Sequence, residues 1–360
     1  MKRKLGLSIV LIAVFNLLNG QNNIAENVIQ KEVKLPIENT ELFSISMKTD
    51  TISMKTDTVH FIRISEQANL IKPVLIFCSF SQPVPLILID DKNGPMISGT
   101  GGFDYKEISC KYHIIMISKP YTPIIKNFSE LNSAAAFVPD ITKPNEFDGR
   151  YLERNYLEYH VAQVDAVIEF LKNQMWVQKD RIIILGHSQG AHVAAHVAMN
   201  NSDIYALGYF SGNVMGRFSQ MINEVQNLTK RGEISKEEAQ VKTNNLYEFW
   251  KYTCRELYWQ GGDPPHTWMS FSRQYINEFT QIKAPVFIAY GTEDQGCQQN
   301  VMLPVYLELA GKTNYVMRPF VGYGHDFQEI LPDGSQNYDN WRWNILMDEF
   351  IQWCERLSVK

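Results

Sequence analysis

Asp180-Arg181-Ile182-Ile183-Ile184-Leu185-Gly186-His187-Ser188-Gln189-Gly190-Ala191-His192 decides how the rest of this 360-residue chain is read. Arg181 to Leu185 is a run of β-branched and leucine residues, as in a strand buried on both faces. It enters Gly-His-Ser-Gln-Gly directly, and Ala191, Val193, Ala194, Ala195, Val197 and Ala198 then follow as a small-residue helix. Strand, sharp turn and helix are the context in which G-x-S-x-G is a nucleophile elbow. The turn must hold Ser188 at a strained tip, and only glycine fits the close backbone approach at Gly186 and Gly190. Gln189 follows the serine at a helix start, so its N–H is placed to face a developing oxyanion.

Composition frames that motif. The chain is 45% hydrophobic and 20% charged with a net charge of −5, an ordinary globular balance without long runs of one sign. That argues against a nucleic-acid surface. The five cysteines are scattered, without CxxC or a His/Cys cluster at ligand spacing, so no metal site is expected. Lys2, Arg3 and Lys4 precede an apolar run from Leu5 to Leu18, and Asn19-Gly20-Gln21 ends it. Residues 1–20 therefore read as a signal peptide, with an exported, periplasmic or extracellular product; an uncleaved anchor is the alternative. Residues 21–41 are polar and read as loosely ordered. Ile45-Ser-Met-Lys-Thr-Asp-Thr51 is copied as Ile52-Ser-Met-Lys-Thr-Asp-Thr58. Seven residues are too few for a solenoid unit, and the alternation suggests one lengthened β-hairpin.

The elbow and its flanks resemble the α/β-hydrolase fold. Buried strands are expected at Pro73–Cys78, Tyr112–Ser118, Ile204–Phe210, Pro285–Tyr290 and Asn314–Phe320, and helices at Tyr156–Gln174 and Trp341–Leu357. Strands alternating with helices require a mostly parallel twisted sheet with helices on both faces, here one domain over residues 42–360. Between the Ile204 and Pro285 strands, about 213–283, lies a polar and helical stretch where this fold inserts a lid. Helices are expected there over Gly216–Lys230 and Ser235–Gln260. Its rings are Phe249, Trp250, Tyr252, Tyr258, Trp259, Trp268 and Phe271, of which Trp250, Trp259 and Trp268 are the candidates to line a substrate pocket. His266 reads as structural.

A serine hydroxyl needs a base to take its proton, and a carboxylate to fix the base's tautomer. The resemblance implies the chain order nucleophile, acid, histidine. The Pro285 strand ends in Gly291-Thr292-Glu293-Asp294, which makes Asp294 the acid, with Glu293 the alternative. The last strand leads to Gly322-Tyr323-Gly324-His325, and His325 is the base; His187, His192 and His196 adjoin Ser188 and point elsewhere. Ser79-Phe80-Ser81 follows the Pro73 strand where the fold keeps its second oxyanion donor. The usual His-Gly pair is absent, leaving Phe80 or Ser81 beside Gln189.

The resemblance implies acyl transfer to water through an acyl-enzyme, without metal or organic cofactor, on a small-molecule ester or a short peptide. Ester cleavage is the leading expectation, since no propeller-sized region precedes the strands. A serine peptidase or amidase of the same fold is the rival. A catalytically silent hydrolase-fold binding protein is the alternative of another class, supported only by the missing His-Gly pair.

Overall fold

The computed structural model describes residues 35–49, 55–255 and 262–357. The signal segment, most of the stretch 21–41, Tyr258 and Trp259 lie outside them. The central sheet has eight strands: β1 (Thr40–Lys48), β2 (Thr56–Ile64), β3 (Lys72–Cys78), β4 (His113–Ile117), β5 (Val177–His187), β6 (Ile204–Phe210), β7 (Val286–Gly291) and β8 (Tyr315–Phe320). Their order across the sheet is β1-β2-β4-β3-β5-β6-β7-β8. β1 and β2 are an antiparallel hairpin, β2 runs antiparallel to β4, and every later pairing is parallel. Ile45–Lys48 of the first repeat copy lie on one arm of this hairpin and Thr56–Thr58 of the second on the other.

Alternate residues of the central strands supply two cores. Val74, Ile76, Ile182 and Ile184 face one core, shared with α3 (Leu157–Lys172) and α4 (Gln189–Asn200). Leu75, Phe77, Ile183 and Leu185 face the other, shared with α1 (Tyr105–Lys111) and α10 (Trp343–Arg356). A strand with both faces buried must be apolar without alternation, which is why Ile182–Leu185 is continuous.

Chain crossovers leave β3 toward β4 and leave β5 toward β6, so the order reverses between β3 and β5. Ligands of open α/β sheets bind outside the carboxyl ends at such a switch point. Ser188 and the Ser79–Ser81 loop both lie there.

The helices α2 (Gly149–Arg154), α5 (Arg217–Lys230), α6 (Lys236–Arg255), α7 (Pro265–Ser272), α8 (Ile276–Thr280) and α9 (Cys297–Leu309) complete the set used below. α5 to α8 form the insertion between β6 and β7. α6 opens with a reciprocal cap: Glu238 N donates to Ser235 Oγ at 3.1 Å, and Ser235 N to Glu238 Oε2 at 2.8 Å. α7 and α8 go beyond the two helices expected there; both are short, and Ile276 and Phe279 of α8 belong to the main core. Among the described residues no helix is long and apolar enough to cross a membrane.

Candidate active site

Ser188 follows β5 with φ 57° and ψ −122°, a left-handed conformation that a serine adopts only where its surroundings impose it. Its N–H donates to Phe210 O at 3.0 Å, tying the turn to β6. A Cβ on Gly186 would lie 2.0 Å from Gly190 O, and one on Gly190 would lie 2.0 Å from Cys78 O. Both glycines are therefore obligatory.

The loops after β7 and β8 interlock. Glu293 N donates to Tyr323 O at 2.9 Å, and Gly322 N donates to Thr292 Oγ1 at 2.9 Å. A Cβ on Gly291 would stand 2.1 Å from Tyr323 O, so only glycine lets these loops approach. The result is one hydrogen-bonded line. His325 Nε2 is 2.8 Å from Ser188 Oγ, and His325 Nδ1 is 3.0 Å from Asp294 Oδ1. The same Asp294 oxygen accepts from Gly296 N at 3.1 Å. Asp294 is buried, whereas Glu293 points to solvent with Thr292 as its neighbour. Burial alone would lower the His325 pKa, but the Asp294 carboxylate, its hydrogen bond and Asp326 outweigh it, leaving the ring above its ordinary value.

The backbone of His325 is held as well as its ring. His187 Nε2 donates to His325 O at 2.9 Å, and Ser211 Oγ donates to the same oxygen at 2.8 Å. His187 is buried against His325 and Trp343, with ring centroids 5.0 and 5.2 Å away. Burial and the facing His325 ring push its pKa down to about 4. His187, His325 and Asp326 offer ligand atoms within 4.8 Å of one another. Nε2 of each histidine is already committed, to His325 O and to Ser188 Oγ, so the cluster reads as a hydrogen-bonded support.

Beside Ser188 lies a cavity of about 110 Å³ lined by Ser81, Gln189, His192, Ser211, Arg217, Gln220 and Phe271. Among the described residues the N–H groups of Gln189, Phe80 and Ser81 have no hydrogen-bond acceptor, so each is free to meet an oxyanion. Ser81 reaches the cavity, while the Phe80 ring packs against Val84, Leu88 and Leu131. Tyr151 OH donates to Ser81 O at 2.7 Å and fixes that loop. Buried Lys119 donates from Nζ to Gln189 Oε1 at 3.0 Å; burial pushes its pKa down to about 8.

The pocket expectation needs correcting. Trp250 packs at a tilt on Phe218, with centroids 5.0 Å apart, and lies along a surface groove of α6. Trp268 lies between Phe249, 5.0 Å away, and the Arg217 guanidinium, 3.7 Å from its ring. Both are spent on packing the insertion, and Trp259 lies outside the described residues. Among the insertion's described aromatic residues, Phe271 is the one that lines the cavity, together with the polar Arg217 and Gln220. His266 bonds Leu152 O at 3.0 Å, a structural role as expected. Arg217, Gln220, Ser211 and Lys119 escaped the sequence reading because nothing in their local pattern marks a site. His187 was weighed only as a rival base.

A sheet of this order, with a serine on a strained turn after its fifth strand, defines the α/β-hydrolase class of serine hydrolases. Residues 147–354 match the prolyl oligopeptidase family, more than half of the chain, and the chain belongs to that family. None of the curated protein sequences matches it. Two solved structures show the fold. A candidate dipeptidyl aminopeptidase IV from Bacteroides ovatus superposes with a TM-score of 0.52 at 13% identity, covering 88% of this chain and 35% of that one. Acetyl xylan esterase 1 from Thermoanaerobacterium superposes with a TM-score of 0.51 at 13% identity, covering 93% and 89%. The chain thus spans about a third of the first protein's length.

Proposed function

We propose that this serine hydrolase cleaves carboxylic esters, with Ser188 as nucleophile, His325 as general base and Asp294 as its orienting carboxylate. The continuous line Ser188–His325–Asp294, at 2.8 and 3.0 Å, carries the reading. His325 Nε2 takes the Ser188 proton as Oγ attacks the ester carbonyl, and Asp294 stabilises the imidazolium while staying ionised. The oxyanion forms against Gln189 N–H and an N–H of Phe80 or Ser81. His325 then gives its proton to the leaving alkoxide, and the acyl-enzyme remains. A water deprotonated by the same ring releases the acid.

Membership of the prolyl oligopeptidase family supports the rival peptidase reading. Esters are favoured because the cavity beside Ser188 is small and, among the described residues, no carboxylate lines it, leaving a peptide's terminal ammonium without a counterion there. Export is part of the proposal and rests on Lys2-Arg3-Lys4 followed by the apolar run to Leu18. Turnover of 4-nitrophenyl esters against aminoacyl-naphthylamides, on wild type and Ser188→Ala, tests the activity; dominant amide turnover reverses the order. Fluorophosphonate labelling of Ser188 tests against the silent binder. N-terminal sequencing of the protein recovered outside the cytoplasm tests export.

A further inference from the structure

Taking Ser188 as the nucleophile, we infer that the cavity beside it receives a small substrate group carrying a carboxylate. The lining is a set of donors. Arg217 carries five N–H donors and no acceptor. Gln189 has its oxygen occupied by Lys119 Nζ at 3.0 Å, so the amide NH₂ is what it offers. Gln220 and Ser81 add an amide and a hydroxyl, and among the described residues no aspartate or glutamate lines the cavity. Of small organic groups, a carboxylate presents the most acceptor sites to such a set.

Arg217 is held ready. Its guanidinium lies over the Trp268 ring, 3.7 Å from the centroid, and Nη1 donates to Asp263 Oδ2 at 2.7 Å. Asp263 is itself shared, because its other oxygen accepts from Asn155 Nδ2 at 3.2 Å. The remaining guanidinium N–H groups are left for a ligand. Arg217 is the charged residue that lines the cavity among the described residues, and its anionic partner Asp263 lies outside that lining. The buried His192 also lines the cavity. The volume of about 110 Å³ leaves room for a carboxylate on a short carbon arm.

The test uses matched esters in which only the charge changes. On the acyl side, mono-4-nitrophenyl succinate is compared with 4-nitrophenyl 4-methylpentanoate, which has the same branching without charge. On the leaving-group side, O-acetyl-lactate is compared with O-acetyl-lactamide. Hydrolysis in the presence of Ser188→Ala is subtracted throughout. In one of the two pairs the carboxylate should raise kcat/KM at least tenfold, and the pair that responds shows which side of the ester occupies the cavity. Arg217→Leu should bring that ratio to near one, mainly through KM, with Arg217→Lys keeping part of it. Asp263→Asn, which frees the guanidinium, should raise the ratio and guards against a merely unfolded Arg217 variant. Equal rates within both pairs, from an enzyme that hydrolyses the neutral ester and takes a fluorophosphonate on Ser188, would overturn the carboxylate and leave the esterase standing. No turnover of any ester and no labelling would overturn both.

Discussion

His187 Nε2 donates to the carbonyl oxygen of His325 at 2.9 Å, so the residue preceding Ser188 holds the backbone of the residue whose ring meets Ser188. Ser211, just after β6, donates to the same oxygen at 2.8 Å. Two strand ends thus add to the anchors of a loop that is also held through the β7 loop, through Arg342 N–H on Phe327 O and by the buried Phe327 ring.

His187→Ala removes one of the two donors and the ring packed on Trp343. A misplacement of the base by a fraction of an ångström should lower kcat by about 10- to 100-fold with little change in KM. Ser211→Ala, which leaves His187 in place, should cost less. Steady-state kinetics and the rate of fluorophosphonate labelling should fall together; an effect on KM alone would show that His187 does not position the base.

The acid assignment is tested by charge removal. His325 works as a base only when neutral, and its pKa is raised, so kcat/KM should rise with pH through a midpoint above 6.5. Asp294→Asn removes the main raising influence and leaves burial to act, so the midpoint should move down while kcat falls by about 10⁴. Glu293→Gln should do neither, since that side chain is solvent-exposed. Damage from Glu293→Gln without damage from Asp294→Asn would reassign the acid.

What the sequence made legible follows from how local each signal is. Ile182–Leu185 reads as a strand because both faces are buried, and Gly186 and Gly190 read as an elbow because a Cβ at either would lie 2.0 Å from a backbone oxygen. Asp294 and His325 follow from chain order once the elbow is known. The two donors on His325 O were not legible, because a bond between residues 138 apart leaves no mark in either local pattern. The cavity wall failed for a related reason. An aromatic residue such as Trp250 or Trp268 shows in a sequence as a large apolar group, but which side of an insertion helix faces Ser188 is set by packing. The residues that do face it, Arg217 and Gln220, look like ordinary surface residues of a polar helix.

Several histidines are buried neutral, and that makes the fold sensitive to acid. Burial, first of all, pushes His113 and His187 down to about 4 and His192 to about 3, and His160 well below its ordinary value. In the unfolded chain each would titrate near 6.5, so between pH 6.5 and 4 the unfolded state binds more protons. Stability is therefore full above 6.5 and falls as the pH drops, by about 1.4 kcal/mol per histidine per pH unit within that window. His325 acts in the opposite sense, because its raised pKa adds stability at low pH that is lost as pH rises through the folded value. Burial also lowers His60 and His196, while it raises Asp165 to about 6, which acts in the same sense as His325. Six groups against two predict a net loss, read as a clear drop in melting temperature from pH 7.5 to pH 5. An unchanged melting temperature would mean that these rings gain protons in the folded state.

The insertion tryptophans separate stability from selectivity. Trp250 packs on Phe218 inside the insertion and is not one of the residues lining the cavity, so Trp250→Ala should remove packing alone. For a partly buried ring that loss is about 1–2 kcal/mol, or roughly 2–6 °C in Tm for a domain of this size. The ratio of kcat/KM between a carboxylate-bearing ester and its neutral partner should stay as in the wild type. Trp268 is different because Arg217 rests on its face at 3.7 Å while Asp263 holds one edge. Without the ring the guanidinium keeps its ion pair and loses the surface that sets its plane, so its free N–H groups no longer point reproducibly at the cavity. Trp268→Ala should lower Tm by a similar amount and, unlike Trp250→Ala, reduce the carboxylate preference several-fold through KM. Trp268→Phe restores an apolar face and should recover most of that preference. Melting curves and the ester ratio on the three variants decide the matter: equal losses of selectivity in Trp250→Ala and Trp268→Ala would mean that the insertion acts on the site as one packed unit, and not through Arg217.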